Sequence, residues 1–151
     1  MIMTINEVMI RHNFISKILF KDGDSSLSKS LKVKIMSMRI EYGKIRKQLE
    51  EDLKEFVDTL TTDDMKILAS KVNKTPEEEA QITSWNKQIN EDYNAYVDKR
   101  GKEEVNVTNT SLTEDEYNQI VEVNAENDVE INGTKLSAPD FLEVIYSLFV
   151  A

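Results

Sequence analysis

The stretch LSKSLKVKIMSMRIEYGKIRKQLEEDLKEFVDTL, residues 27–60, decides the fold of this chain. It contains no proline, and its apolar side chains recur at intervals of three or four residues. These side chains are Leu31, Ile35, Met38, Tyr42, Ile45, Leu49, Leu53, Phe56 and Leu60. Such a period predicts one apolar stripe along a single face of an α-helix. At 1.5 Å per residue the helix would be about 50 Å long, which exceeds the width of a compact domain of this size.

Two features of this helix bear on its partners. The stripe keeps a seven-residue repeat from Leu31 to Leu49 and then breaks it, because the step of four residues that ends at Leu49 is followed by a second step of four, to Leu53. This pattern suits a coiled coil and an antiparallel hairpin within one molecule equally well. In addition, Val33 and Ile40 lie off the stripe, and with Met36 they widen the apolar surface of the N-terminal half. A second packed face there would suit contact with another subunit.

The remaining elements of the first two thirds of the chain also read as helices. Thr4 and Glu7 form a capping box that opens a first helix, which we expect to end near Phe20. Its inward residues would be Val8, Met9, Ile15, Ile18 and Leu19. A short helix is predicted over residues 63–72. Thr75, Pro76 and Glu78 then open a helix over residues 76–100, with Gly101 at its C′ position, and this helix could lie antiparallel along the long one.

The sequence changes character after Gly101. Residues 103–108 alternate as in a strand, with Val105 and Val107 inward. A capping box at residues 113–116 opens another helix, Asn132 and Gly133 predict a type I′ turn between two short strands, and residues 137–140 cap a last helix. We therefore predict a mainly α protein with a small α+β C-terminal unit: a long helical hairpin, a short β-hairpin and a terminal helix. The expected division is 1–101 and 102–151, the second part being acidic and packed on the first.

The net charge of −9 is unevenly placed. Residues 102–151 hold two basic and eleven acidic side chains, whereas residues 17–47 hold nine basic and three acidic ones. A surface with such opposed charges suits head-to-tail association between copies, or docking on a charged partner. An ordinary solvated helix face explains the lysines equally well.

Few residues in the sequence point to chemistry. The chain has no cysteine and one histidine, His12, which excludes a two-His or His–Cys metal site within one molecule. Asp22, Asp24 and Ser26 alternate as at the start of a calcium loop, but Gly23 is misplaced and no Glu follows at the twelfth position, so we expect a turn. Phosphate-binding and nucleophile motifs are absent from the sequence. We expect no catalytic residue, no cofactor and no metal, and hence no enzyme.

Nucleic acid and membrane are not expected as partners. The aromatic residues of the helix 76–100 lie at helical spacing beside acidic residues, which favours a place in the core over stacking on bases. The first residues, MIMTINEVMIRHNF, hold no apolar run of signal-peptide length, and no later run could span a membrane. We therefore expect a place in the cytoplasm or in a particle assembled there.

The order of elements carries a resemblance. A leading helix, the long amphipathic helix 27–60, the strand around VNV at 105–107 and the segment DVEINGTKLSAPDFLEVIYSLF at 128–149 together resemble small proteins of tailed bacteriophages. In those proteins a helical hairpin precedes a compact acidic segment that ends in a Leu-rich helix. The resemblance implies a virion or assembly role, as a ring, connector or tail component or an assembly chaperone, and it carries no catalytic residue.

These observations lead to one main hypothesis and its alternatives. We expect a non-enzymatic phage structural protein, assembled in the host cytoplasm, that contacts other phage structural proteins and copies of itself. The expected contact residues are basic on one side, Lys29, Lys32, Lys34 and Arg39, and acidic on the other, Glu114, Asp115, Glu116 and Glu130. One alternative is an acidic inhibitor of a host defence nuclease that imitates DNA phosphates. A small enzyme or regulatory subunit is a further alternative, although no feature of the sequence supports it.

Overall fold

The computed structural model describes residues 1–21, 26–108 and 111–150 of the chain. Helices hold 69 % of these described residues, and the mainly α fold class is confirmed. In chain order the elements are β1 (Ile2–Thr4), α1 (Ile5–Ile15), α2 (Lys29–Leu60), α3 (Asp63–Ser70), α4 (Pro76–Gly101), β2 (Glu104–Asn106), α5 (Glu114–Asn124), β3 (Val129–Ile131), β4 (Thr134–Leu136) and α6 (Ala138–Phe149).

The chain forms two compact units. One, which we call the composite unit, joins Met1–Arg46 to Glu104–Ala151, and the other, the hairpin unit, is Lys47–Glu103. This division differs from the expected one at residue 101. The reason is that β1, a strand the sequence analysis did not predict, pairs antiparallel with β2 in the register Met3 to Val105. The first and last parts of the chain therefore share one sheet and one core.

The core of the composite unit is built on the N-terminal half of α2. Its stripe residues Leu31, Ile35, Met38 and Tyr42 are fully buried there. Most of the other large buried side chains come from α1, with Val8 and Ile15, and from α6, with Phe141, Ile145 and Phe149. Helix α5 closes the core with Ile120 and Val123. The amphipathic pattern of residues 31–42 thus gives the face that this unit buries.

Local signals in the sequence set the ends of most elements. The capping boxes at Thr4, Thr75 and Thr113 are all present, and the Leu31 amide donates to the Ser28 hydroxyl over 3.3 Å at the start of α2. Strands β3 and β4 form the expected hairpin around Asn132 and Gly133, whose φ angles are 52° and 79°. Positive φ at both positions is what a type I′ turn requires.

Three predicted helix ends differ from the structure, and one of them is that of α3, which ends at Ser70 rather than at residue 72. Helix α1 ends at Ile15 rather than near Phe20, and Leu19 is exposed rather than inward. The reason is that the side chain of Asn124 bonds both the amide and the carbonyl of Leu19, so these groups do not enter a helix. In α4, Gly101 is the last helical residue and Lys102 is the C-cap, in αR conformation. Of the candidate calcium loop, residues 22–25 lie outside the described residues.

The hairpin unit contains the C-terminal part of α2, α3 and α4. The rings of Phe56 on α2 and Tyr96 on α4 stack with centroids 4.0 Å apart. One turn away, Arg100 Nη1 lies 2.7 Å from Asp52 Oδ2. The stripe residues of α2 in this unit, such as Leu49, Leu53 and Phe56, are only half-buried. The long helical hairpin of α2 and α4 is confirmed.

Candidate protein-contact site

Helix α2 carries apolar side chains on two opposite faces within the composite unit. Val33, Met36 and Ile40 are 56 %, 49 % and 57 % exposed, whereas the stripe residues Ile35 and Met38, which alternate with them in sequence, are fully buried. Their spacing of three and four residues places them on one face, and at about 100° per residue that face is opposite the buried one. The second apolar surface predicted from the sequence is therefore present and open to solvent.

Lysines border this second surface at both ends. Lys29 lies one turn before Val33 and Lys44 one turn after Ile40, and both side chains are exposed. We call the set of Lys29, Val33, Met36, Ile40 and Lys44 the outer face of α2. Lys32, half-buried, lies beside its first turn. An apolar centre between cations would suit a partner that offers apolar groups between carboxylates.

The other two predicted basic residues have partners in their own chain. Lys34 Nζ lies 2.7 Å from Glu116 Oε1 on α5. Arg39 donates from Nε to the Ile15 carbonyl over 3.0 Å and from Nη2 to the Ile18 carbonyl over 2.6 Å. Burial lowers the pKa of Arg39 from its ordinary value. Arg39 thus holds the segment after α1 against α2.

The predicted acidic residues lie on two separate elements. Glu114, Asp115 and Glu116 form the first turn of α5, where negative charge is favourable because the helix N-terminus is electropositive. Glu114 Oε1 accepts the Tyr146 hydroxyl over 2.7 Å. Glu130 lies on β3 directly across from Lys135 on β4. The structure thus brings Lys34 and Glu116 together within one molecule, and the role of the predicted residues in contacts between molecules stays a prediction.

Opposing effects act on Glu116. Burial raises its pKa, but the hydrogen bond from Lys34 and the amide of Thr113, 2.9 Å from Oε1, lower it, and the net pKa is below the usual value. The carboxylate therefore serves both the capping box of α5 and the ion pair to α2. It ties the acidic start of α5 to the basic start of α2 in the same molecule.

His12 takes part in the contact between α1 and α2. Arg46 donates from Nε to His12 Nδ1 over 2.8 Å and from Nη2 to the Met9 carbonyl over 3.3 Å. A side chain at Gly43 would meet His12 Nε2 at 3.6 Å, so the imidazole lies close to the backbone of α2. This arrangement gives His12 a structural place between two helices.

The composite unit has a further apolar surface, separate from the outer face of α2, that was not predicted from the sequence. A groove of about 200 Å³ lies between β1, α1 and α6, and its apolar lining includes Ile2, Ile10 and Leu148. Glu7 and Arg11 also line it. We call it the β1–α1–α6 groove. A signal for it existed in the sequence, because Ile2 and Ile10 are apolar residues that the predicted inward face of the first helix leaves out.

The hairpin unit has an apolar groove of its own. It lies between α3 and α4, holds about 280 Å³ and is lined by Met65, Ile82, Trp85 and Ile89 among others. These four side chains are half-buried. Among the residues that the structure describes, no group of three or more His, Asp or Glu side chains is arranged to hold a metal ion. No helix in the described ranges is both long and apolar enough to cross a bilayer.

Comparison with protein families, with curated proteins and with solved structures found no match to this chain.

Proposed function

We propose that this protein is a non-enzymatic structural protein of a bacteriophage particle. It would act as a ring, connector or tail component, through contacts with other structural proteins and with copies of itself. The observation that carries this proposal is the outer face of α2, where Val33, Met36 and Ile40 meet solvent on the side of the helix opposite the core. Contiguous exposed apolar side chains with a polar border are typical of protein-interaction sites.

The charge of the molecule favours a protein partner over nucleic acid. With a net charge of −9 the chain as a whole repels phosphate backbones, and nucleic-acid binding would require a basic excess. The lysines of the outer face of α2 are few and separated by apolar side chains, which suits a mixed protein surface better. The place in a phage particle, assembled in the host cytoplasm, comes from the resemblance in the order of elements.

The first test is the mass of the native protein across dilution and ionic strength. Analytical ultracentrifugation of the wild type should show self-association that weakens with dilution. Ile40→Asp should reduce it, because a carboxylate in the apolar centre opposes burial of that face. Ile67→Asp is the matched control, since Ile67 is 68 % exposed on α3 in the hairpin unit. A wild type that stays monomeric under all conditions, or an Ile40→Asp variant that associates as well as wild type, would refute the self-assembling form of the proposal.

A second candidate is an acidic inhibitor of a host defence nuclease. The observation that favours it is the charge of residues 104–151, which hold one basic and ten acidic side chains. Several of these acidic side chains are exposed on α5, β3 and α6, including Glu122, Glu130 and Asp140. Salt-sensitive binding of a DNA-cleaving nuclease that Ile40→Asp leaves unchanged would favour the inhibitor, since that binding would not use α2. Binding that Ile40→Asp abolishes would speak against it.

A further inference from the structure

We infer that the outer face of α2 docks into the β1–α1–α6 groove of a second copy of this chain. This inference rests on the proposed function and names the partner surface that the proposal leaves open. Both surfaces belong to the composite unit, and each is apolar at its centre and charged at its border. Lysines border the outer face of α2, and carboxylates form one side of the border of the groove.

The groove has the features that the outer face of α2 requires. Ile2 and Ile10 are 65 % and 48 % exposed there, so apolar area is available for burial. Glu7 lines the same groove, and through Ser147 the groove continues into a depression lined by Asp140 and Glu143. All three carboxylate side chains are exposed.

Arg11, which also lines the groove, makes contacts within its own molecule. Its guanidinium carbon lies 5.0 Å from the centroid of the Phe149 ring, and its side chain is hydrogen-bonded to Tyr42. Arg11 keeps its positive charge, so the acidic side of the border is the one formed by Glu7, Asp140 and Glu143, and this side is complementary to Lys29 and Lys44 on the outer face of α2.

Charge also argues against a symmetric contact. If two outer faces of α2 met each other, the lysines at both ends of one face would meet the lysines of the other, and like charges in contact are destabilising. The acidic first turn of α5 is a poor alternative receiver, because Glu116 already pairs with Lys34 of its own chain at 2.7 Å. The carboxylates of the groove remain as the complement that a second copy can offer.

The two surfaces can be used at the same time. They share no residue, since one lies on α2 and the other on β1, α1 and α6. Each copy could therefore present its outer face to one neighbour and its groove to another. Such a head-to-tail contact builds a ring if its rotation closes and a filament if it does not. This outcome agrees with the ring or connector role.

Mixing of two variants tests the inference directly. Ile40→Asp disables the outer face, and Ile10→Asp disables the groove, while each variant keeps the other surface intact. We expect each variant alone to self-associate at least tenfold more weakly than wild type. An equimolar mixture should form a dimer of one copy of each and nothing larger, because only one intact pair of surfaces is left. Circular dichroism and thermal unfolding verify that both variants are folded.

The outcomes separate this inference from the proposed function. If Ile40→Asp weakens association but Ile10→Asp does not, the outer face is a contact site and the groove is not its receiver. If the mixture remains monomeric, a head-to-tail contact is refuted. If Ile10→Asp fails to fold, Glu143→Lys, an exposed change on α6, takes its place with the same expected result, and Ile67→Asp remains the control.

Discussion

Replacement of Asn124 by alanine should destabilise the composite unit, because it leaves two backbone groups of a distant segment without their partner. Asn124 is fully buried, and its side-chain amide bonds both polar groups of the Leu19 backbone. The Leu19 amide donates to Asn124 Oδ1 over 2.8 Å, and Asn124 Nδ2 donates to the Leu19 carbonyl over 3.2 Å. Asn124 Oδ1 also accepts a hydrogen bond from Asn127 Nδ2 at 2.9 Å. The side chain thus attaches the segment after α1 to α5.

The expected loss follows from which groups are left without a partner. Asn127 can bond water instead, because its other hydrogen bond, to the Lys17 carbonyl, is already exposed. The two Leu19 backbone groups are part-buried, and an unsatisfied buried group costs about 1–3 kcal/mol. Since partial burial lets some water reach them, we expect Asn124→Ala to lower the free energy of unfolding by about 2–3 kcal/mol.

Chemical denaturation followed by circular dichroism measures this loss. Asn127→Ala is the control. It removes one hydrogen bond to Asn124 and one of 3.0 Å to the Lys17 carbonyl, but it takes no hydrogen bond from the Leu19 backbone. That variant should lose no more than about 1 kcal/mol. Amide exchange of Leu19 should accelerate in Asn124→Ala. A loss below about 1 kcal/mol for Asn124→Ala, or an equal loss in both variants, would refute the assigned role.

Two further changes test local features of the same unit. Glu116→Gln keeps the capping box but removes the charge that Lys34 binds. Because the pKa of Glu116 is lowered in the folded state, wild type should be more stable than the variant by about 0.5–1 kcal/mol above about pH 5. This difference in stability should shrink as the pH falls through the lowered pKa of Glu116. A difference that grows toward acid pH, in denaturation midpoints measured from pH 7 to 3, would contradict this. Gly133→Ala should lower the free energy of unfolding by about 1–2 kcal/mol, because φ at this position is 79°. An added Cβ meets no atom within 4 Å, so backbone strain alone accounts for this loss. An unchanged unfolding curve would show that the turn tolerates a side chain.

The sequence predicted elements best where a local signal acts. The period of residues 31–42, the capping threonines and the Asn132–Gly133 turn each depend on neighbours a few positions away, and each is present in the structure. Strand β1 was missed because three residues give no period, and only pairing with β2, about a hundred positions later, makes them a strand. The end of α1 was misplaced for a similar reason, since Asn124 is distant in sequence from Leu19.

The candidate site could be predicted only in part. Val33, Met36 and Ile40 were identified because an apolar residue off the main stripe is visible in the helical period alone. For the groove, the sequence offered only Ile2 and Ile10 as apolar residues outside the predicted inward face, because the groove itself depends on β1, α1 and α6 meeting in space. The pairing of Lys34 with Glu116 likewise joins positions 82 residues apart, so charge counting could not tell a contact within one molecule from one between two.

The composite unit is built from two segments that are far apart in sequence, and this has a consequence for biosynthesis. Leu31, Ile35, Met38 and Tyr42 leave the ribosome well before α5 and α6, which complete their core, have been translated. Residues 47–103 are made in that interval, and their helices pair with neighbours close in sequence. The nascent chain therefore holds the residues of the hairpin unit while the apolar stripe of α2 still lacks the cover that α5 and α6 provide, and synthesis of residues 114–149 ends this exposed period.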